Sequence, residues 1–370
     1  MLNKLGDYIS LVNNKNGDES ISKDYIKGIS TNKEFIETKA DLTNISVKNY
    51  KIVEPHQFAY VADTSRRGDK ISLAFNETDG PILVSTISTV FEIKQSKRGK
   101  LHPLFLYIYF NRPEFDRIAR FNSWGSARET FTWEDLCDLK IEVPSIEIQQ
   151  KYVDVYNALV ANQKAYENGL EDLKLVYENQ FEEAQKKYKK DSLINHITER
   201  REINTNGKFT NLRGISQNGL IPPNQKRSKE SMKKTKIFYL NDIIYAPSSL
   251  KNGAVVLNKE YHQALCSEEY IVFRVKEDLL PEYVFILLKR KELGRYIDFL
   301  SVDSVRNRFY FADLEILDIA LVPFDLQQSI VEIYKVYETR KEINEKLKQQ
   351  IKEICPVLIK GAIQESKGVI

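Results

Sequence analysis

A segment beginning at Pro103 recurs without gaps 178 residues later, aligning Pro103 with Pro281, Phe121 with Phe299, Arg128 with Arg306 and Phe131 with Phe309. The same register carries Asp135-Leu136 onto Asp313-Leu314, Gln149-Gln150 onto Gln327-Gln328 and Tyr156 onto Tyr334. Earlier stretches align with small shifts, as insertions in loops would produce: Gly28-Ile29-Ser30 with Gly214-Ile215-Ser216, Tyr60 with Tyr245, Gly68 with Gly253. A period this long is too large for a solenoid repeat, so each copy is expected to be a domain with its own core. Two similar domains on one chain suit a target of approximate twofold symmetry, and duplex DNA is the commonest such target.

Each copy reads as a mixed domain followed by a long helix. In the first, short β-type runs at Phe58 to Val61, Ile71 to Phe75, Ile82 to Ile87 and Thr89 to Ile93 are punctuated by Gly68 and Gly80-Pro81. Pro103 to Phe110 and its partner Pro281 to Leu288 are apolar runs led by proline, which helices tolerate in the first turn. After Pro144 the apolar spacing becomes three and four, through Ile148, Tyr152, Val155, Leu159, Tyr166, Leu170, Leu173, Tyr177 and Phe181, with no proline from Ser145 to Lys190. Such a coiled-coil-like helix would extend on the order of 60 Å at about 1.5 Å per residue. The stripe returns through Leu326, Ile330, Ile333, Tyr337, Ile343, Leu347, Ile351, Ile354 and Leu358, with Pro356 expected to kink or end the last turns. Each seam needs a partner. The cheapest is the other helix of the same chain, which makes the pair antiparallel; the alternative is that each stripe packs on its own domain.

The expected class is therefore α+β: two similar mixed domains joined by two long antiparallel coiled-coil helices, with an internal pseudo-twofold repeat. The boundaries fall at 1–144, 145–190, 191–322 and 323–370. In 370 residues, 42% hydrophobic and 29% charged, no stretch approaches the roughly 18 uncharged apolar residues of a membrane span. The N-terminal run lacks a signal-peptide core, so a cytoplasmic location is expected.

Chemistry of its own is hard to find. No Gly-x-Gly fingerprint or phosphate loop ending in Gly-Lys-Ser/Thr is present, and the only Pro-Pro, Pro222-Pro223, lacks the Asn or Asp and the aromatic of an amino-methyltransferase loop. His56, His102, His196 and His262 are isolated, and Cys137, Cys266 and Cys355 lie far apart, so no catalytic residue and no metal site is expected. The net charge of +3 is too small to argue nucleic-acid binding, but its distribution says more. Lys94, Lys97, Arg98 and Lys100 cluster in the first copy, and Lys226, Arg227, Lys229, Lys233, Lys234 and Lys236 in the second. These runs read either as phosphate contacts or as solvated loops.

The repeated segment is also specific in detail. Trp133-Glu134-Asp135-Leu136, Leu139-Lys140-Ile141-Glu142-Val143-Pro144 and Ile146-Glu147-Ile148-Gln149-Gln150 resemble the shared region of type I restriction-modification specificity subunits. Asp313-Leu314, Leu317 to Pro323 and Asp325-Leu326-Gln327-Gln328 match it again, and Ser126-Ala127-Arg128 and Ser304-Val305-Arg306 lead into both copies. Leu5-Gly6-Asp7-Tyr8-Ile9 is similar to the family's opening, whereas Leu193-Ile194-Asn195-His196-Ile197 departs from it at the glycine. The resemblance implies two target recognition domains, each reading half of a split DNA sequence, and two helices acting as a spacer ruler. It also implies a chain that binds no cofactor, with S-adenosylmethionine carried by two docked modification subunits, and restriction subunits joining where the system cleaves.

Candidate readers are the polar loops after aligned strands: Ser65, Arg66, Arg67 and Lys70 in the first copy, and Ser248, Ser249, Lys251 and Asn252 in the second. A second pair, Thr31-Asn32-Lys33 and Gln217-Asn218, follows the aligned Gly-Ile-Ser. Arginine suits guanine and asparagine suits adenine. Arg128 and Arg306, shared by both copies, suit phosphate or the domain–helix junction. The helix seam is expected to use Ile148, Tyr152, Val155, Leu159, Tyr166, Leu170 and Leu173 with Leu326, Ile330, Ile333, Tyr337, Leu347 and Ile351. The rival readings are a coiled-coil scaffold that binds only proteins and a stand-alone DNA-modifying enzyme.

Overall fold

The computed structural model describes residues 2–38, 40–43, 45–63, 70–123, 129–223, 228–300 and 308–369. The chain divides into two compact units, Met1–Ala165 with Ile343–Ile370, and Tyr166–Glu342.

In the first unit the strands are β1 (Leu2–Lys4), β2 (Ile9–Val12), β3 (Lys27–Ile29), β4 (Phe35–Glu37), β5 (Lys51–Val53), β6 (Phe58–Val61), β7 (Ser72–Phe75), β8 (Ile82–Val84), β9 (Ser88–Ile93) and β10 (Lys140–Glu142). The helices are α1 (Pro103–Phe110), α2 (Pro113–Phe121), α3 (Trp133–Asp138) and α4 (Ile146–Glu167). A four-stranded antiparallel sheet has the order β2-β9-β6-β7. Strands β6 and β7 are buried along their whole length, which explains their near-continuous apolar composition. Phe58 stacks on Phe91 at 5.0 Å, and Phe110 of α1 meets Phe58 edge-on at 5.8 Å. Helix α1 begins at a proline and is capped by His102, whose Nδ1 accepts the Leu104 N–H at 3.1 Å. A Thr132/Asp135 capping box starts α3.

In the second unit the strands are β11 (Lys190–Ser192), β12 (Ile197–Glu199), β13 (Gly214–Ser216), β14 (Gly219–Ile221), β15 (Lys236–Tyr239), β16 (Ile243–Tyr245), β17 (Val255–Leu257), β18 (Gln263–Cys266), β19 (Ile271–Val275) and β20 (Asp318–Ala320). The helices are α5 (Leu170–Lys187), α6 (Lys229–Met232), α7 (Pro281–Lys289), α8 (Lys291–Leu300) and α9 (Phe324–Ser366), of which α9 contributes to both units. The sheet order is β12-β19-β16-β17, and the core gathers Tyr245, Phe273, Tyr283, Phe181 and Ile330.

One glutamine closes each unit. Gln149 is fully buried; its Oε1 accepts the His102 N–H at 2.8 Å, and its Nε2 donates to the carbonyls of Lys100 and Pro144, both at 2.8 Å. Gln327 does the same with the Leu280 N–H at 2.7 Å and the carbonyls of Asp278 and Val322 at 3.2 and 3.0 Å. Each amide thus joins the turn before the apolar helix, the end of the last strand and the start of the long helix. The neighbouring glutamines, Gln150 and Gln328, are exposed and bond one turn ahead to Asp154 and Glu332.

The long helices depart from the expected pattern. The stretch 145–190 is not one helix, because Gly169 adopts a left-handed φ of +77° between α4 and α5. Helix α9 does not end at Pro356 but continues to Ser366. In the first unit α4 runs antiparallel to the C-terminal part of α9, with Lys151 paired to Glu365 at 3.0 Å at one end and Gln163 bonded to Asn344 at 2.7 Å at the other. The buried line on α4 is Gln149, Val153, Tyr156 and Gln163, so the expected seam residue Val155 is 45% exposed, one position out of phase. Ile148, Tyr152, Leu159, Tyr166, Leu170 and Leu173 are half-buried. On α9, Ile330 is buried and Leu326, Ile333, Tyr337, Leu347 and Ile351 are half-buried. In the second unit Tyr177 of α5 packs edge-on against Tyr334 at 5.2 Å.

Replacing Gln149 by alanine orphans the His102 N–H and two carbonyls in a buried setting, so urea unfolding should lose about 2–4 kcal/mol. Gln150→Ala, one residue away on the exposed face, should stay within about 0.5 kcal/mol of the parent.

Candidate nucleic-acid interface

The sheet register decides which polar loops lie together. In the first unit β6 leaves the sheet at Val61 opposite Ser88, and β7 re-enters at Ser72. The intervening candidates Ser65, Arg66 and Arg67 lie outside the described residues, and Lys70 is exposed. The β3–β4 turn reaches the same place: Ser30 N–H bonds the Glu34 carbonyl at 3.0 Å, leaving Asn32 exposed and Thr31 half-buried. Lys33, expected to touch DNA, instead turns inward and is 3% exposed. Its ammonium donates to the Ile71 carbonyl at 2.7 Å and pairs with Asp116 of α2, whose Oδ1 also accepts the Ile71 N–H at 3.1 Å. The Tyr107 hydroxyl donates to the Lys33 carbonyl at 2.9 Å. Burial pulls the Lys33 ammonium below the usual lysine range, and Asp116 opposes that shift. Lys33 is therefore the pin that holds the turn against the strand after the arginine loop.

The second unit reaches the same arrangement with different residues. The β13–β14 hairpin exposes Gln217 and Asn218. Beyond β16 a tight turn carries Ser248, Ser249, Lys251 and Asn252 and ends at Gly253, whose φ of +76° suits glycine. Lys289, at the end of α7, donates to the Gln217 carbonyl at 2.5 Å and to the Gly253 carbonyl at 3.1 Å, so one side chain brings both candidate loops together. Burial lowers its pKa as well. Ser248 and Asn252 are exposed, Ser249 is half-buried, and Lys251 is held by Asp298 of α8 at 2.8 Å. Gly294 is required here, because a Cβ would lie 2.3 Å from the Lys251 carbonyl.

Other candidates fall elsewhere. The run from Lys94 to Lys100 follows the opposite end of β9 from Ser88, so it lies away from the loops just described. There Lys94 donates to the Gly6 carbonyl at 2.7 Å, Lys97 lies over the Tyr8 ring, Arg98 pairs with Glu92 at 3.5 Å, and Lys100 is exposed. The contacts of Lys94, Lys97 and Arg98 are thus with the N-terminal turn and β9. Arg128, Arg306, Lys226 and Arg227 lie outside the described residues. Lys229 occupies the first turn of α6; Lys233 pairs with Glu230 at 2.8 Å, and Lys234 is exposed.

Sequence reasoning passed over Lys289 and Arg308. Arg308 lines a cleft of about 310 Å³ with Lys236, Ser248, Glu268, Glu269 and Tyr270. Neither residue has a basic counterpart 178 positions earlier, where Asn111 and Thr130 stand, so the repeat gave no signal. Among the described residues no group of three or more His, Cys, Asp and Glu side chains could hold a metal ion, and no helix is long and apolar enough to cross a membrane.

Residues 186–353, which contain β11 to β20 and both polar loops of the second unit, match the family model of the type I restriction modification DNA specificity domain. That segment is similar to the type I specificity family. Over 98% of this chain and 95% of the other, the fold is similar to the crystal structure of the type I restriction-modification system S subunit from M. genitalium, at 12% identity and a TM-score of 0.59. Two further matches score lower. A structure described as the basis of complex assembly and conformational transition of the type I R-M system has 14% identity, 97% coverage of each chain and a TM-score of 0.45. The HsdS subunit from Thermoanaerobacter tengcongensis has 15% identity, coverage of 99% and 97%, and a TM-score of 0.37. No curated protein matches the chain.

Within the specificity domain, Lys289 carries a direct test. Lys289→Met keeps the aliphatic stem but leaves the Gln217 and Gly253 carbonyls without their donor. Hydrogen exchange at 216–219 and 249–253 should then quicken by about tenfold or more, with the amides of β16 and β19 unchanged.

Proposed function

We propose that the chain is the sequence-reading subunit of a type I restriction-modification assembly, with each unit reading one half of a bipartite target in duplex DNA. The supporting observation is that a lysine pins a polar turn at the same end of a corresponding sheet in both units, Lys33 tying the β3–β4 turn to Ile71 and Lys289 tying the β13–β14 hairpin to Gly253. Such loops suit the major groove, where all four base pairs are distinguishable. Phosphate contacts would supply affinity, and a few exposed Asn, Gln, Ser and Arg side chains would read base edges.

On this reading 1–144 and 191–322 are two similar target recognition domains related by a pseudo-twofold repeat, and 145–190 and 323–370 are antiparallel, coiled-coil-like spacers. The break at Gly169 sits within the first spacer. The spacers set the length of unread DNA and dock two modification subunits, which bring S-adenosylmethionine and methylate adenine. Restriction subunits join where the system cleaves. The chain contributes recognition rather than catalysis and works in the cytoplasm.

Mapping methylated adenines in host DNA, with and without this gene, tests the reading. The expected result is a motif of two half-sites at constant separation that disappears with the gene; an unsplit motif overturns it. The purified chain should also retard duplex DNA at low salt, whereas a protein-only scaffold would not.

Adding a heptad to both α4 and the facing part of α9 lengthens the pair by about 10 Å while keeping the seam in phase. The unread gap should then grow by about three base pairs at about 3.4 Å each, with both half-sites unchanged. An unaltered gap would remove the ruler role.

A further inference from the structure

One turn is built identically in both units and carries opposite chemistry. In the first unit β6 pairs Tyr60 with Thr89, and in the second β16 pairs Tyr245 with Ile271, so the turns entering β9 and β19 correspond. The Ser88 N–H bonds the Ser85 carbonyl at 3.0 Å, and the Tyr270 N–H bonds the Ser267 carbonyl at 3.1 Å. Lys51 donates to the Ser88 carbonyl at 2.7 Å, and Lys236 donates to the Tyr270 carbonyl at 2.7 Å. On this common backbone the first unit exposes Thr86 and Ile87, the latter 69% exposed, and the second exposes Glu268 and Glu269. Both turns lie at the sheet end that carries the candidate loops.

The second turn faces further contrast. Phe309 N–H bonds the Pro247 carbonyl at 3.0 Å, which lays Arg308 beside the Ser248 loop, in the cleft that Glu268 and Glu269 also line. The position of Arg308 is Thr130 in the first copy. A pair of exposed carboxylates repels phosphate, so on a DNA-facing surface it needs a base partner. Glutamate accepts from the cytosine amino group, arginine donates to guanine O6 and N7, and an apolar side chain contacts the thymine methyl.

We propose that this turn is a specificity-determining element in each unit: Glu268 and Glu269 with Arg308 read a C·G pair in one half-site, and Thr86 with Ile87 reads a thymine in the other. The inference rests on the bipartite reading above and adds which residues set the bases. The bonds that shape the turn come from backbone and lysine, so side chains at its tip can change without moving it.

The test maps methylation motifs in cells that supply the modification subunits, comparing the parent with Glu269→Gln, Glu268→Gln and Arg308→Thr, and with Ile87→Ala in the other unit. Glutamine keeps the shape and adds a donor suited to adenine, so the glutamate variants should relax one C·G position by about tenfold to a hundredfold and admit A·T there. The opposite half-site and the gap should stay as in the parent, and their persistence shows that the assembly forms. Ile87→Ala should relax one thymine in the opposite half alone. A motif unchanged by all four substitutions overturns the proposal, as does a uniform loss at every site with no position-specific relaxation. A parent motif that is unsplit overturns the bipartite reading itself, which separates the two failures.

Discussion

A single buried amide in each unit holds sheet, apolar helix and long helix in one relative position. Gln149 and Gln327 each accept one backbone N–H and donate to two carbonyls, which ties the turn before the apolar helix and the end of the last strand to the start of the long helix. A buried glutamine left unsatisfied would cost about 1–3 kcal/mol per group, so the side chain tolerates only this geometry. The loops at the far end of the sheet inherit their direction from it. On the proposed reading, a recognition surface offset by an ångström would miss its base edges, so the lock would matter to reading as well as to stability.

Much of this was legible in the sequence because it follows from periodicity and punctuation. Pro103 and Pro281 mark helix starts, the runs at Phe58 and Thr89 form central strands, and the paired glutamines stand at corresponding places because the same three bonds need them. The helix phase was less accessible. The apolar stripe favoured Val155, yet the α4 face against α9 admits Gln163 bonded to Asn344 and so includes polar positions that a hydrophobic pattern discards. Gly169 stands in a charged run, and its positive φ shows where the helix breaks. Lysines misled most. Composition counts Lys33 as a surface cation, but Asp116, 83 residues away, makes burial tolerable, and no local pattern announces that pairing.

That use of lysine bears on how the chain would hold DNA. Lys33, Lys51, Lys236 and Lys289 all donate to backbone carbonyls of turns near the candidate surface, and Lys94 does so at the N-terminal turn. Their charge serves architecture: an ammonium with three donors can satisfy carbonyls from two loops at once, as Lys289 does. Lys70 and Lys234 are among the described candidates that face outward, and on the proposed reading the net charge of +3 fits a modest phosphate footprint.

A modest footprint favours two units on one chain. Each phosphate neutralised adds about 0.9 to the salt exponent, so a unit with few such contacts binds weakly alone and discriminates mainly through its base contacts. Linking two weak readers turns the second encounter into an intramolecular one, and affinity then multiplies only where both half-sites are present at the right distance. Strong electrostatic binding by either unit would defeat this, because one half-site or any duplex would suffice. On the proposed reading, committing lysines to turn geometry and placing glutamates on a DNA-facing surface would both lower non-specific affinity and leave the correct pair of sequences as the condition for tight binding.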